Sequence, residues 1–318
     1  MSTCYGPRQL DELIGQTTIK RKARIAIGAA LQRSEPLPST LLTSAGGGLG
    51  KTTFARILAN EMYAPLIATT GQCISNAADL RNILIRIQPF SMLLIDECHT
   101  LGRHASEELL VVLEEGVLNV NIGPGRSPAR IPVPPFTCLA ATTKPSALSP
   151  WLRQRFCLHF HFEHYDIEDL TQIAEGFLQR WKMKFEDGVP QAIAGRSKGI
   201  PRIARQLSLR ARDIAQARSS AMITLQDFEQ AMQLEGIDSL GLGSQERQLL
   251  HTLKSVDPRP VAARSLALTL GVEVATVTDV LEPTLFRLGF VTVGVGGRRI
   301  TASGLAHLDA VDQEAAVT

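Results

Sequence analysis

The chain has no close cysteine pair of the C-x-x-C kind. Its five cysteines, Cys4, Cys73, Cys98, Cys138 and Cys157, are scattered over 318 residues, a pattern that suits reduced thiols better than a disulfide framework. No apolar run approaches the length of a membrane span, and residues 1–9 hold no apolar signal core. These absences predict a soluble, cytoplasmic protein with no membrane partner. Charge of one sign is not in excess either: the formal net charge of +2 argues against a wholesale polyanion-binding coat and leaves a local basic patch open. There is no internal repeat and no low-complexity tract. A chain of this length holds two or three domains and enough apolar residues for a core.

The most informative feature present is Ala45-Gly46-Gly47-Gly48-Leu49-Gly50-Lys51-Thr52-Thr53, a phosphate-binding loop with alanine at the first glycine position of G-x-x-x-x-G-K-[ST]. In such a loop, backbone N–H groups turn toward a polyphosphate, and glycines at Gly48 and Gly50 permit close approach and positive φ. Lys51 sets an ammonium against the terminal phosphates of ATP, and the Thr52 hydroxyl can ligate Mg²⁺. Residues 40–43 read as a short buried strand and residues 53–63 as a helix with apolar spacing, so the loop has the strand–loop–helix context that adds a helix dipole to an anion site. Lys51 fills the slot where a dinucleotide fingerprint needs its last glycine.

From about residue 23 to 162, helices alternate with short apolar strands at 66–69, 92–95, 136–141 and 158–162, which predicts an α/β layer with a parallel sheet. Residues 118–135 interrupt it with Gly123, Pro124, Gly125, Pro128, Pro132, Pro134 and Pro135 between apolar flanks, as a protruding hairpin would. An all-helical stretch follows, then a glycine-punctuated linker, then three short helices and a strand–turn–strand, the pattern of a winged helix. The expected domains are a nucleotide-binding core over 1–165, with the hairpin inserted at about 117–135, a helical lid over 166–238 and a winged helix over 239–318.

Hydrolysis needs a metal partner and a group that orients water. Met92-Leu93-Leu94-Ile95-Asp96-Glu97 supplies both as an apolar strand ending in two carboxylates: Asp96 can hold Mg²⁺ through a water while Glu97 orients the attacking water. The next strand ends in Thr142-Thr143, hydroxyls placed to sense the γ-phosphate or that water. Arg155 lies just beyond this tip, where a guanidinium can reach a neighbouring subunit's γ-phosphate. Arg202 follows a Gly-Ile-Pro turn that opens a helix, placed to touch phosphates in cis. Three histidines, His159, His161 and His164, gather near a strand end without a completed ligand set.

These motifs resemble the RuvB family of AAA+ motors. The resemblance runs from about Leu10 to Leu308 and rests on Leu10-Asp11-Glu12-Leu13-Ile14-Gly15-Gln16, Gly48-Leu49-Gly50-Lys51-Thr52-Thr53, Leu94-Ile95-Asp96-Glu97-Cys98-His99 and Ala141-Thr142-Thr143. It also covers Ser149-Pro150-Trp151-Leu152-Arg153-Gln154-Arg155-Phe156 and Gly199-Ile200-Pro201-Arg202-Ile203-Ala204. It implies an AAA+ core, an all-α lid and a C-terminal winged helix. It also implies a hexameric ring that hydrolyses ATP with Mg²⁺ to drive branch migration of four-way junction DNA, with RuvA as partner. On its pattern Thr142 or Thr143 is sensor 1, Arg155 the arginine finger and Arg202 sensor 2. Tyr165 lies at the nucleotide, and Ile14, Gly15 and Gln16 belong to the adenine-side motif. Ala45-Gly46-Gly47 stands where the family has Gly-Pro-Pro, Gly116 where it has an aromatic, and Val293 and Gly296 where it has basic residues.

Arg298 and Arg299 beside the wing glycines are the candidate contacts to duplex DNA; Arg298 also matches a family DNA-contacting arginine. Residues 245–310 carry seven Lys/Arg against six Asp/Glu, a nearly neutral domain rather than a basic footprint. A second function therefore stands beside the motor: a nucleotide-switched adaptor that assembles and recruits a protein partner with slow hydrolysis.

Overall fold

The computed structural model describes residues 6–120 and 129–317, with side chains as far as residue 313. Cys4 and the hairpin residues Gly123, Pro124, Gly125 and Pro128 lie outside the described residues. Two compact units are present, one of residues up to Asp169 together with Ile200–Arg202, the other of Leu170–Gly199 and the chain from Ile203 onward.

The first unit opens with α1 (Thr17–Arg33) and builds a five-stranded parallel sheet from β1 (Thr40–Ser44), β2 (Leu66–Thr70), β3 (Met92–Asp96), β6 (Thr137–Thr142) and β7 (Leu158–Phe162), in the order β2-β3-β6-β1-β7. Strands β1 and β6 are buried almost throughout, which accounts for their near-continuous apolar runs: both faces are covered. The covering helices are α2 (Lys51–Glu61), α3 (Ala77–Leu84), α4 (Arg103–Glu115) and α5 (Pro150–Gln154). From α2, Phe54 packs edge-on against Phe160 and Phe162 of β7, ring centroids 5.2 and 5.4 Å apart, fixing the loop-bearing helix to the sheet. The inserted hairpin forms antiparallel arms, β4 (Val117–Val120) and β5 (Ala129–Pro132).

In the second unit, α6 (Ile167–Arg180), which starts in the first, is followed by α7 (Val189–Arg196), α8 (Pro201–Ala217) and α9 (Leu225–Glu235). This stretch is not wholly helical. β8 (Lys184–Phe185) and β9 (Met222–Ile223) form a two-residue parallel pair, too short to leave any alternation in the sequence. A capping box starts α9: Thr224 accepts from the Asp227 N–H and Asp227 accepts from the Thr224 N–H. Then come α10 (Ser244–Val256), α11 (Ala263–Leu270), α12 (Val274–Thr276), a π turn at Val277–Leu281 and α13 (Glu282–Arg287). The π turn has a cause: Pro283 has no N–H and its ring crowds the preceding turn. The wing is β10 (Val291–Gly294) paired with β11 (Gly297–Ile300), and a final helix α14 (Ala302–Val317) follows. Leu249, Leu250 and Leu253 of α10, with Leu266, Val277, Leu285 and Leu308, form the core of this part.

Candidate nucleotide site

Register brings the carboxyl ends of three strands together. Thr43 of β1 lies opposite Thr142 of β6, and Ile95 of β3 opposite Ala140, so the glycine loop, the Asp96-Glu97 pair and Thr142-Thr143 emerge side by side. In open α/β sheets this edge is where ligands bind.

Within the loop, Gly48 has φ +84° and Gly50 φ +104°, conformations that favour glycine. A Cβ on Gly48 would lie 2.8 Å from Arg202 Cβ and 2.9 Å from Ile200 Cγ2, so the Gly-Ile-Pro-Arg turn closes on the loop only because Gly48 has no side chain. Ala45 is absent from the positive-φ residues, and the space around Gly46 is open. The departure at Ala45-Gly46-Gly47 therefore imposes no backbone strain. Lys51 is buried, its Nζ donating to Ser44 Oγ at 2.6 Å and reaching Gly46 O at 3.5 Å. Burial pushes its ammonium below the usual lysine value, while Glu97 and Asp96 favour the charged form and Arg202 opposes it.

Thr52 Oγ1 donates to Asp96 Oδ2 at 2.7 Å, and Asp96 Oδ1 accepts the Glu97 N–H at 3.0 Å. Hydroxyl and carboxylate oxygens this close form a hard donor set of the kind Mg²⁺ takes. Glu97 sits at φ +46°, its carbonyl held by Thr100 N (2.9 Å) and Thr100 Oγ1 (2.8 Å). Its Oε2 accepts from Thr143 N at 3.3 Å and Thr143 Oγ1 at 3.2 Å, while Thr142 Oγ1 meets His99 Nδ1 at 2.9 Å. The two threonines thus have different partners: Thr143 touches the carboxylate, Thr142 the histidine.

On the other side of the loop, Gly15 (φ +65°) and Gln16 (φ +48°) form a left-handed corner against Tyr165 and Asp169. Gln16 Nε2 donates to Glu163 O at 2.8 Å. Tyr165 is buried, burial pushing its hydroxyl up to about 12, and its Oη would lie 3.6 Å from a Cβ on Gly50. Ile14 is half-buried, Leu49 is fully buried, and Thr53 Cγ2 faces Gly6. The structure therefore brings together the residues expected for phosphate, metal, water and adenine.

Two expected residues are placed differently from a bare reading of the sequence. Arg155, at the end of α5, forms an ion pair with Glu114 of α4. In the wing, Arg298 grips Glu282 with two bonds, Nε to Oε1 at 2.7 Å and Nη2 to Oε2 at 3.0 Å, and Glu282 is only 2% exposed. Arg299 is exposed. Nothing in the sequence pairs Glu114 with Arg155 or Glu282 with Arg298; only the folded chain does. Of the histidines, His159 Nε2 bonds Phe156 O and His161 Nδ1 bonds Thr43 Oγ1.

A glycine loop closed over a buried lysine, a hydroxyl–carboxylate pair beside it, and an arginine turn packed on the loop define a P-loop nucleotide-binding protein of the AAA+ class. Three consecutive family models match: the Holliday junction DNA helicase RuvB P-loop domain over residues 5–162, the RuvB AAA lid domain over 165–238 and the RuvB C-terminal winged helix domain over 239–309. The chain belongs to the RuvB family. It is 36% identical over 305 residues to the Holliday junction branch migration complex subunit RuvB of Kosmotoga olearia, covering 95% of this chain and 89% of the relative. The same subunit of Ligilactobacillus salivarius is also 36% identical, with 95% and 90% covered. The solved Thermotoga maritima RuvB Holliday junction branch migration motor superposes with a TM-score of 0.84 at 33% identity, over 96% of this chain and 98% of that one.

Proposed function

We propose that this chain is an ATP-hydrolysing DNA motor that drives Holliday junction branch migration as a homo-oligomeric, hexameric ring in the cytoplasm. One observation carries the reading: Asp96 and Glu97 are each tied to a neighbouring loop or strand tip, Asp96 through Thr52 and Glu97 through Thr143, at the strand edge that holds Lys51. Lys51 binds the terminal phosphates, and Thr52 with Asp96 holds Mg²⁺, which neutralises phosphate charge when bound. Glu97 orients the attacking water and accepts its proton. Thr143 holds Glu97, which favours it over Thr142 as the strand-tip sensor, and Arg202 contacts phosphate in cis. Gln16 and Tyr165 flank the adenine side with Ile14 and Gly15.

Arg155 acts in trans as the finger. Its pair with Glu114 is partly exposed, at 43% and 33%, so exchanging it for a neighbour's γ-phosphate costs little. We read the core as 1–165, the lid as 166–238 and the winged helix as 239–318, with Arg299 the wing's phosphate contact. A RuvA-like protein is the partner on the junction. The test is steady-state ATP hydrolysis with and without four-way junction DNA: stimulation by the junction is expected. Nucleotide-dependent assembly with no DNA effect would instead mark a nucleotide-switched adaptor.

A further inference from the structure

Glu97 carries the water step in the reading above, and its side chain is 41% exposed. A carboxylate on a two-carbon stem at a strand end is free to rotate unless something fixes it. Thr143 supplies two bonds from one side. On the other side stands His99, whose Nδ1 lies 3.3 Å from Glu97 Oε2 and 2.9 Å from Thr142 Oγ1.

The chemistry of these atoms fixes the tautomer. An ionised carboxylate only accepts, so an imidazole nitrogen this close must carry the proton. Nδ1–H then points its hydrogen bond at Thr142 Oγ1 and faces Glu97 Oε2 across 3.3 Å as a close electrostatic contact, and Thr142 Oγ1 also accepts the Lys144 N–H at 2.9 Å. His99 is thereby pinned to the tip of β6 while it holds the carboxylate. The backbone beneath is fixed as well. Glu97 has a left-handed φ of +46°, and a Cβ on Gly71 would come within 2.6 Å of its carbonyl oxygen, so the loop after β2 packs directly against it. The donors named here all fall on Oε2, so Oε1 is the oxygen they leave for a water.

We propose that His99 is a positioning residue for hydrolysis, its Nδ1–H fixing the Glu97 carboxylate against the tip of β6. The proposal rests on Glu97 being the water-orienting group. Removing the polar N–H that faces the charged carboxylate predicts that His99→Leu lowers kcat about 10-fold, with ATP affinity unchanged. Asparagine can place its amide N–H near the Nδ1 position, so His99→Asn retains kcat within about threefold; glutamine mimics the other nitrogen, so His99→Gln behaves like leucine.

The experiment measures single-turnover ATP hydrolysis and fluorescent-nucleotide affinity for the full chain with junction DNA. It compares wild type, the three His99 variants, Glu97→Gln, and Glu97→Gln combined with His99→Leu. A residue acting through Glu97 gives a double variant no slower than Glu97→Gln alone. Wild-type kcat in His99→Leu, equal loss in the asparagine and glutamine variants, or a slower double variant each overturns the proposal. If His99→Leu unfolds, the asparagine–glutamine contrast decides it. Wild-type hydrolysis by Glu97→Gln would instead sink the assignment of Glu97 itself.

Discussion

At the scale of single residues, the loop separates positions that need glycine from those that do not. Gly48 is held at φ +84° with Ile200 and Arg202 against it, so Gly48→Ala adds a left-handed strain of about 1–2 kcal/mol on top of a steric clash. We expect it to weaken ATP binding markedly in a fluorescent-nucleotide titration, while Ala45→Gly and Gly46→Ala change affinity by less than about threefold. This distinction was not legible in the sequence, where Ala45 stood out as the anomaly. The letters record residue type but not φ, and the φ values remove the anomaly. The thiols sort in the same way. Burial pushes the Cys98 thiol up to about 12 and raises that of Cys138, whereas Cys73 and Cys157 are exposed. Alkylation of the native protein at neutral pH should label Cys73 and Cys157 and spare Cys98 and Cys138, as mass spectrometry of the digested protein would read.

At the scale of elements, patterns that local chemistry dictates were legible and those that tertiary packing dictates were not. The five sheet strands followed from apolar runs, because a strand is written in neighbouring letters. β8 and β9 were not: a two-residue pairing across a long separation leaves no periodicity. Neither was α14, whose alanine-rich start resembles a tail. Burial opposes ionisation of Asp227, yet its carboxyl lies below the usual range because the Thr224 N–H and hydroxyl and the Arg218 guanidinium hold the charged form. A depressed folded value means the stabilisation is complete above the usual carboxylate range and fades as pH falls through the folded value. Asp227→Ala should therefore cost on the order of 2 kcal/mol at neutral pH, and the deficit relative to wild type should shrink in acid, measured by denaturant unfolding.

At the scale of the whole molecule, the two wing arginines differ in their surroundings: Arg298 is paired internally and Arg299 is exposed. Arg298 closes a bidentate pair with buried Glu282, so Arg298→Ala leaves a buried carboxylate uncompensated and should destabilise the winged helix by on the order of 3 kcal/mol. Arg299→Ala should leave unfolding unchanged but weaken junction binding uniformly and lower the salt slope by about one per contacting subunit. In the sequence both were candidate DNA contacts, and only the fold gives Arg298 its internal partner. Between subunits, Arg155→Ala should abolish ATP turnover while sparing ATP binding; hydrolysis at the wild-type rate would contradict a finger in trans.

Whether hydrolysis at this strand edge moves DNA is read from branch migration itself. A labelled synthetic four-way junction is incubated with the full chain, a RuvA-type partner and ATP, and its conversion to duplex arms is followed on a native gel. ATP-dependent conversion that is lost in Lys51→Ala and in Glu97→Gln is expected. A junction that stays intact while the wild-type chain hydrolyses ATP would contradict a DNA motor.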